Sequence, residues 1–159
     1  KQFAANGTLV ALDPNIRPIY ATDAHREFLM SLLPYVNLLK LSDEEVEFLG
    51  EEALTKVPAA VITRGGDGLT LLADGNRIDV PAVNANVVDT IGAGDTIMGA
   101  LLAQIEERGL TAADLTSVSP DQWREILHYA AAAAAITVSR KGAQPPTKTE
   151  VEELLAKDS

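Results

Sequence analysis

Three short runs that are apolar almost throughout, separated by helix-patterned stretches, most restrict the folds open to this chain. The runs are Thr8–Leu12, Val36–Leu41 and Ala59–Thr63. Strands buried on both faces read as continuous apolar runs, whereas a half-exposed strand alternates. Between the first two runs, Asp23–Leu33 carries Phe28, Leu29, Leu32 and Leu33 at helical spacing and stops at Pro34. After the second, Ser42 stands three residues before Glu45, the spacing of a capping box, and Gly50 closes a short helix. The order β-α-β-α-β predicts an α/β fold with a parallel sheet and crossover helices.

Beyond Thr63 the pattern changes. Leu69–Ala73, the turn Asp74-Gly75 and Arg77–Val80 predict a hairpin. Asn84–Asp89 leads into the turn Gly92-Ala93-Gly94 and a helix with Ile97, Met98, Leu101, Leu102 and Ile105 on its core face, closing near Gly109. Ser119, Pro120 and Gln122 open a second helix that runs through Ala130–Ala135. Alanine there serves helix propensity, and it also lets another surface approach closely. Thr149 with Glu152 predicts a last helix over Glu150–Ala156. No repeat or linker interrupts residues 1–159, so they read as a single α/β domain. Lys1–Asn6 before Gly7 reads as the last turn of a helix with a glycine cap, so the chain is expected to begin mid-domain; a processed N-terminus is the alternative.

Composition removes several function classes. The chain has no cysteine, which excludes a disulfide scaffold and points to a reducing, cytoplasmic setting. Its formal net charge of -10 argues against nucleic-acid binding, which needs a Lys/Arg surface, but leaves a nucleotide open. No run approaches the ~20 apolar residues of a membrane span. His25 and His128 stand alone, without the partners of a transition-metal site, and Trp123 with few other aromatics makes no base-stacking platform.

The segment carrying chemistry is Asp89-Thr90-Ile91-Gly92-Ala93-Gly94-Asp95, running straight into a helix. A glycine-rich turn there exposes unpaired N–H groups at the positive end of the helix dipole, a setting for an anion. An ionised Asp95 beside a permanently bound phosphate would be repelled. It suits a carboxylate that takes a proton from a hydroxyl while the N–H groups hold a phosphoryl group in transfer. An Asp serving only the helix N-terminus is the alternative. The dinucleotide fingerprint fails for want of a third glycine, and no G-x-x-x-x-G-K-[ST] occurs. A second glycine turn, Thr63-Arg64-Gly65-Gly66-Asp67-Gly68, follows the third strand, where open α/β sheets bind ligands; a tight loop needing positive φ would read the same way.

These residues together resemble a known family. DTIGAGDTIMGALL, at Asp89–Leu102, resembles the C-terminal signature of the PfkB (ribokinase-like) carbohydrate kinases. DPNIRP, KLSDEE, VITRGGDG and TVSRKGAQPP follow the family's order, and DPN-x-R with KLSDEE looks most like its fructokinase branch. The resemblance implies the C-terminal portion of a ribokinase-like parallel-sheet sandwich, family members being about twice as long, with the nucleotide site and catalytic base here and most sugar contacts and the lid in the other half. It implies ATP-dependent phosphorylation of a sugar hydroxyl, fructose foremost. Another sugar, a sugar acid or a nucleoside, or nucleotide binding without catalysis, are the alternatives.

The same resemblance implies residue roles. Asp95 is the base, and Gly92, Ala93 and Gly94 supply the anion hole. Thr63, Gly65, Gly66, Asp67 and Gly68 line ATP. Glu45 with Ser42 helps organise Mg²⁺ through water, in a motif where ribokinases have Asn in place of Ser42; a capping box alone is the competing reading. Asn15 and Arg17 face the sugar, unless they are simply a polar turn. Asp89, Ile91 and Gly142 hold a monovalent cation such as K⁺, largely through carbonyls. Arg140 and Lys141 read equally as a solvated helix end. A homodimer of the full-length protein is implied as well.

Overall fold

The computed structural model describes residues 1–157. Its elements in chain order are α1 (Gln2–Ala5), β1 (Ala11–Leu12), α2 (Asp23–Leu32), β2 (Leu38–Ser42), α3 (Asp43–Leu49), β3 (Ala59–Thr63), β4 (Leu69–Ala73), β5 (Asn76–Val80), α4 (Ala93–Glu107), α5 (Pro120–Val138) and α6 (Lys148–Lys157). The five strands form one sheet in sequence order. β1, β2 and β3 are parallel, with Leu38 opposite Ala59 and Leu41 opposite Ile62. The α/β architecture is therefore as expected. No helix among the described residues is long and apolar enough to cross a membrane.

The described residues fall into two compact units: Lys1–Arg64 with Thr70–Ile78 and Leu110–Val118, and Gly65–Leu69 with Asp79–Gly109 and 119–157. The units interleave along the chain, so no composition break marks their border, and the sequence reads as continuous.

In the first unit, Leu39, Leu41, Ala60 and Ile62 join Leu29, Leu33, Leu49 and Leu54 in one buried cluster. Leu38, Ala59 and Val61, on the opposite strand faces, are fully buried too, which is why β2 and β3 show no alternation. The first strand is shorter than the expected Thr8–Leu12, and the second starts at Leu38 rather than Val36. The cause is Asn37: its Oδ1 accepts the Val10 N–H at 2.9 Å, so a side chain stands in for the ladder there. The hairpin turn holds Asp74 at φ 47 and Gly75 at φ 71, the two positive φ values of a two-residue connection that follows strand twist.

In the second unit, α4 packs on α5. Thr96, Ile97, Ala100, Leu101, Gln104 and Ile105 are buried on α4, while Met98 and Leu102 are only half-buried. On α5, Ala130, Ala131, Ala132, Ala133 and Ala135 are buried. The alanines thus serve close helix approach, not propensity alone. α6 begins at Lys148, and its capping residue is Thr147 instead of the expected Thr149: Thr147 Oγ1 accepts the Glu150 N–H at 3.4 Å and Glu150 Oε2 accepts the Thr147 N–H at 2.8 Å.

Candidate active site

The turn before α4 is shaped by one glycine and one carboxylate. Gly92, the N-cap, has φ 81, the left-handed region that favours glycine. A Cβ there would lie 2.8 Å from the Ala143 Cβ, so the turn and the 140–147 loop approach within a single methyl group. Asp89 ties the two together. Its Oδ1 accepts the Ile91 N–H at 3.0 Å and its Oδ2 the Gly142 N–H at 2.9 Å. These donors, Ile91 first, hold the Asp89 carboxyl below the usual aspartate value. Asp89, Ile91 and Gly142, named from the sequence as one cluster, are therefore brought together. The Val138 carbonyl adds a third tie, accepting from Val88 N–H at 2.7 Å and Asp89 N–H at 3.1 Å.

Among the described residues the N–H groups of Gly92, Gly94 and Asp95 find no hydrogen-bond partner, and the Asp95 carboxylate is exposed and equally without one. Ala93 departs from the expected set of donors. Its N–H reaches the Thr90 carbonyl at 3.3 Å, closing the turn, and Asp95 N–H takes its place among the open donors. Three open N–H groups at the positive end of a four-turn helix suit developing negative charge, and a carboxylate beside them can accept a proton. An open cleft of about 530 Å³ lies against this turn, lined by Gly92, Asp95, Thr96, Gly99, Tyr129 and Lys148 among others.

The Gly65–Gly68 turn, also in the second unit, is a single 3-10 turn through Asp67. Gly65 has φ 52 and Gly68 φ 97. A Cβ on Gly68 would sit 2.1 Å from the Val80 carbonyl oxygen, so that glycine is required by packing. Gly65 and Gly66 are exposed, with nothing within 4 Å of an added Cβ. Thr63 and Arg64, directly before the turn, are half-buried.

In the first unit, buried Glu45 and Lys40 tie down the loop after β1. Glu45, 8 % exposed, closes the capping box with Ser42 through Oε2 at 2.8 Å and accepts the Ile16 N–H on Oε1 at 2.6 Å. Lys40 Nζ, buried in β2, pairs with Asp13 at 2.9 Å. The Asp13–Arg17 loop is thus held at both ends, which presents Asn15 (φ 46) and Arg17 outward, both exposed. Both Glu45 oxygens are committed to N–H donors, and no cluster of three His, Cys, Asp or Glu side chains that could cage a metal occurs among the described residues.

The family model for pfkB family carbohydrate kinases matches residues 1–150. The chain belongs to the pfkB family. Curated relatives of this pfkB chain include "Probable fructokinase-3" of Arabidopsis thaliana, 34% identical over 93% of this chain and 45% of the relative, and "Fructokinase-2" of Zea mays, 32% identical over 96% of this chain and 49% of the relative. The chain therefore spans about half the length of these relatives. Among solved structures, the fructokinase with bound ATP from Xylella fastidiosa superposes with a TM-score of 0.88 at 25% identity, over 97% of this chain and 53% of that one. The nucleoside kinase from Burkholderia thailandensis in complex with inosine shares the fold, at a TM-score of 0.77 and 24% identity, over 98% of this chain and 51% of that one. The ribokinase-like fold expected from the sequence is thus shown.

Sequence reasoning missed several contributors. Lys40 left a signal, since a lone charge inside an apolar run needs a buried partner. Ala143 and Thr137 lie within TVSRKGAQPP, but nothing in that motif marks their contacts with Gly92 and Thr96.

Proposed function

We propose that the protein carrying this chain transfers the γ-phosphoryl group of ATP to a hydroxyl of a sugar, fructose. The observation that carries this is the unpartnered Asp95 carboxylate beside the open N–H groups of Gly92, Gly94 and Asp95. In the proposed step Asp95 takes the hydroxyl proton, the sugar oxygen bonds to the γ-phosphorus, and the bond to the bridging oxygen breaks so that ADP leaves with that electron pair. The N–H groups hold the charge on the transferring oxygens in place, without the reorganisation that water would need. The open backbone of Gly65 and Gly66 supports a role for the Gly65–Gly68 turn, with Thr63 before it, along the nucleotide.

Mg²⁺, when bound, draws charge from the phosphates. With both Glu45 oxygens on backbone N–H groups, we assign this carboxylate no direct metal bond. Its part is to fix the loop bearing Asn15 and Arg17, which we assign to the sugar side. We assign the neighbourhood of Asp89, Ile91 and Gly142 to a monovalent cation held by backbone carbonyls, since both Asp89 oxygens already accept N–H groups there.

ADP formation from Mg-ATP across a panel of fructose, other sugars, sugar acids and nucleosides tests the proposal. Fructose should give the largest kcat/KM; a larger value for another acceptor reassigns the substrate within the family. A second reading follows from the chain's spanning about half of its relatives: this portion binds nucleotide and turns over only when the rest of the fold is present. ADP binding without turnover by these 159 residues supports that reading.

A further inference from the structure

We propose that Thr137, on the last turn of α5, is a positioning residue for the turn that bears Asp95, acting through the hydroxyl of Thr96; this rests on the reading of that turn as the site of phosphoryl transfer. The two hydroxyls lie 2.9 Å apart between helices whose other buried side chains are alanine and aliphatic apart from Gln104 and Trp123. Thr137 is fully buried and Thr96 nearly so. Thr137 Oγ1 donates to the Ala133 carbonyl at 3.2 Å. A hydroxyl has one proton, so the proton between the two threonines belongs to Thr96, and the relay runs from Thr96 to Thr137 to Ala133.

Apolar contact between two helices sets their separation but has no direction, so it leaves rotation of α4 about its axis loosely fixed. A buried hydrogen bond fixes that rotation. Thr96 is the residue after Asp95, and its own N–H is the one that closes onto the Gly92 carbonyl, at 2.9 Å. The last turn of α5 therefore holds the 88–96 segment at both ends: Val138 takes the N–H groups of Val88 and Asp89, and Thr137 takes the hydroxyl of Thr96. An anion hole works only when its N–H vectors stay within roughly 10–20° of the productive direction. Alanine, used at five neighbouring buried positions on α5, would pack at 137 without supplying that direction.

The test compares Thr137→Val, Thr137→Ser, Thr96→Val and the double valine variant, all in this chain. Affinity for Mg²⁺ with a non-hydrolysable ATP analogue is measured by calorimetry, and amide hydrogen exchange is followed along α4. Thr137→Val should weaken the analogue about tenfold, a modest misplacement of aligned groups. It should also speed exchange at Thr96 and Ile97 while leaving Gln104 and Ile105 unchanged. Thr137→Ser should restore both readouts, and the double variant should be no worse than Thr137→Val. Unchanged exchange at Thr96, a loss spread evenly along α4, or no rescue by serine overturns the proposal. If the parent chain does not bind the analogue, the kinase reading of this portion fails, and the exchange pattern alone still decides the role of Thr137.

Discussion

Asp89 accepts the backbone N–H of Gly142 at 2.9 Å, across 53 residues of sequence. Its other oxygen takes the N–H of Ile91, two residues on. One carboxylate therefore folds the glycine turn and docks it on the loop after α5, so the open donors before α4 are held by a feature that is not itself among them.

Asp95→Asn should abolish turnover while sparing nucleotide binding, since an amide keeps the shape but cannot take the proton. In the kinase-competent protein, kcat should fall at least about a hundredfold. ADP release with saturating fructose measures it, and an unchanged kcat rules out Asp95 as the base.

Gly92→Ala should destabilise the second unit by about 2–3 kcal/mol, the sum of a left-handed backbone and a crowded contact. The added Cβ meets the Ala143 Cβ at 2.8 Å and its Cα at 3.1 Å. Urea denaturation of Gly92→Ala with and without Ala143→Gly separates the two terms. The second change should recover only the steric share, and complete recovery would show that the backbone at Gly92 is unstrained.

Glu150 gives a pH dependence of defined sign. The Thr147 N–H, then Arg140 and the Thr147 hydroxyl, hold its carboxyl below the ordinary 4.5. A depressed folded-state value adds stability that is present above 4.5 and fades as pH falls through the lower folded value. Denaturation at pH 7 should find the parent more stable than Glu150→Gln, with the gap shrinking below pH 4.5. A gap that stays constant with pH contradicts the assignment.

Lys40→Met strands the Asp13 carboxylate against a buried strand. Side-chain exposure at the pair is 6% and 17%, so the loss should be about 3 kcal/mol. Adding Asp13→Asn should return more than half of it in a denaturant titration. Equal stability of parent and Lys40→Met would show that the pair is solvated.

The third strand stands where its continuous apolar run put it, and the capping boxes at Ser42 and Ser119 stand where the residues put them because each rests on side chains three positions apart. The first strand and the last helix cap moved. For the strand a distant contact, Asn37 on Val10, overrode the local pattern; for the cap one local pair, Thr147 with Glu150, won over another, Thr149 with Glu152. The candidate site divides the same way. Gly92 and Gly94 were legible because a glycine turn entering a helix must leave N–H groups open. The loss of Ala93 from the donor set was not, since it depends on how tightly the turn closes onto Thr90.

By itself the sequence determined the α/β order, the family and the place of the acidic glycine turn, all of which follow from periodicity and from motifs contiguous in the chain. Only the tertiary structure decided that Asp89 grips Gly142, that Thr137 receives Thr96, and that Lys40 is buried against Asp13. Each of those joins residues about 27 to 53 positions apart, and directional bonds at that separation leave no periodic trace, since they require only that the right polar atom arrive once the apolar faces have packed.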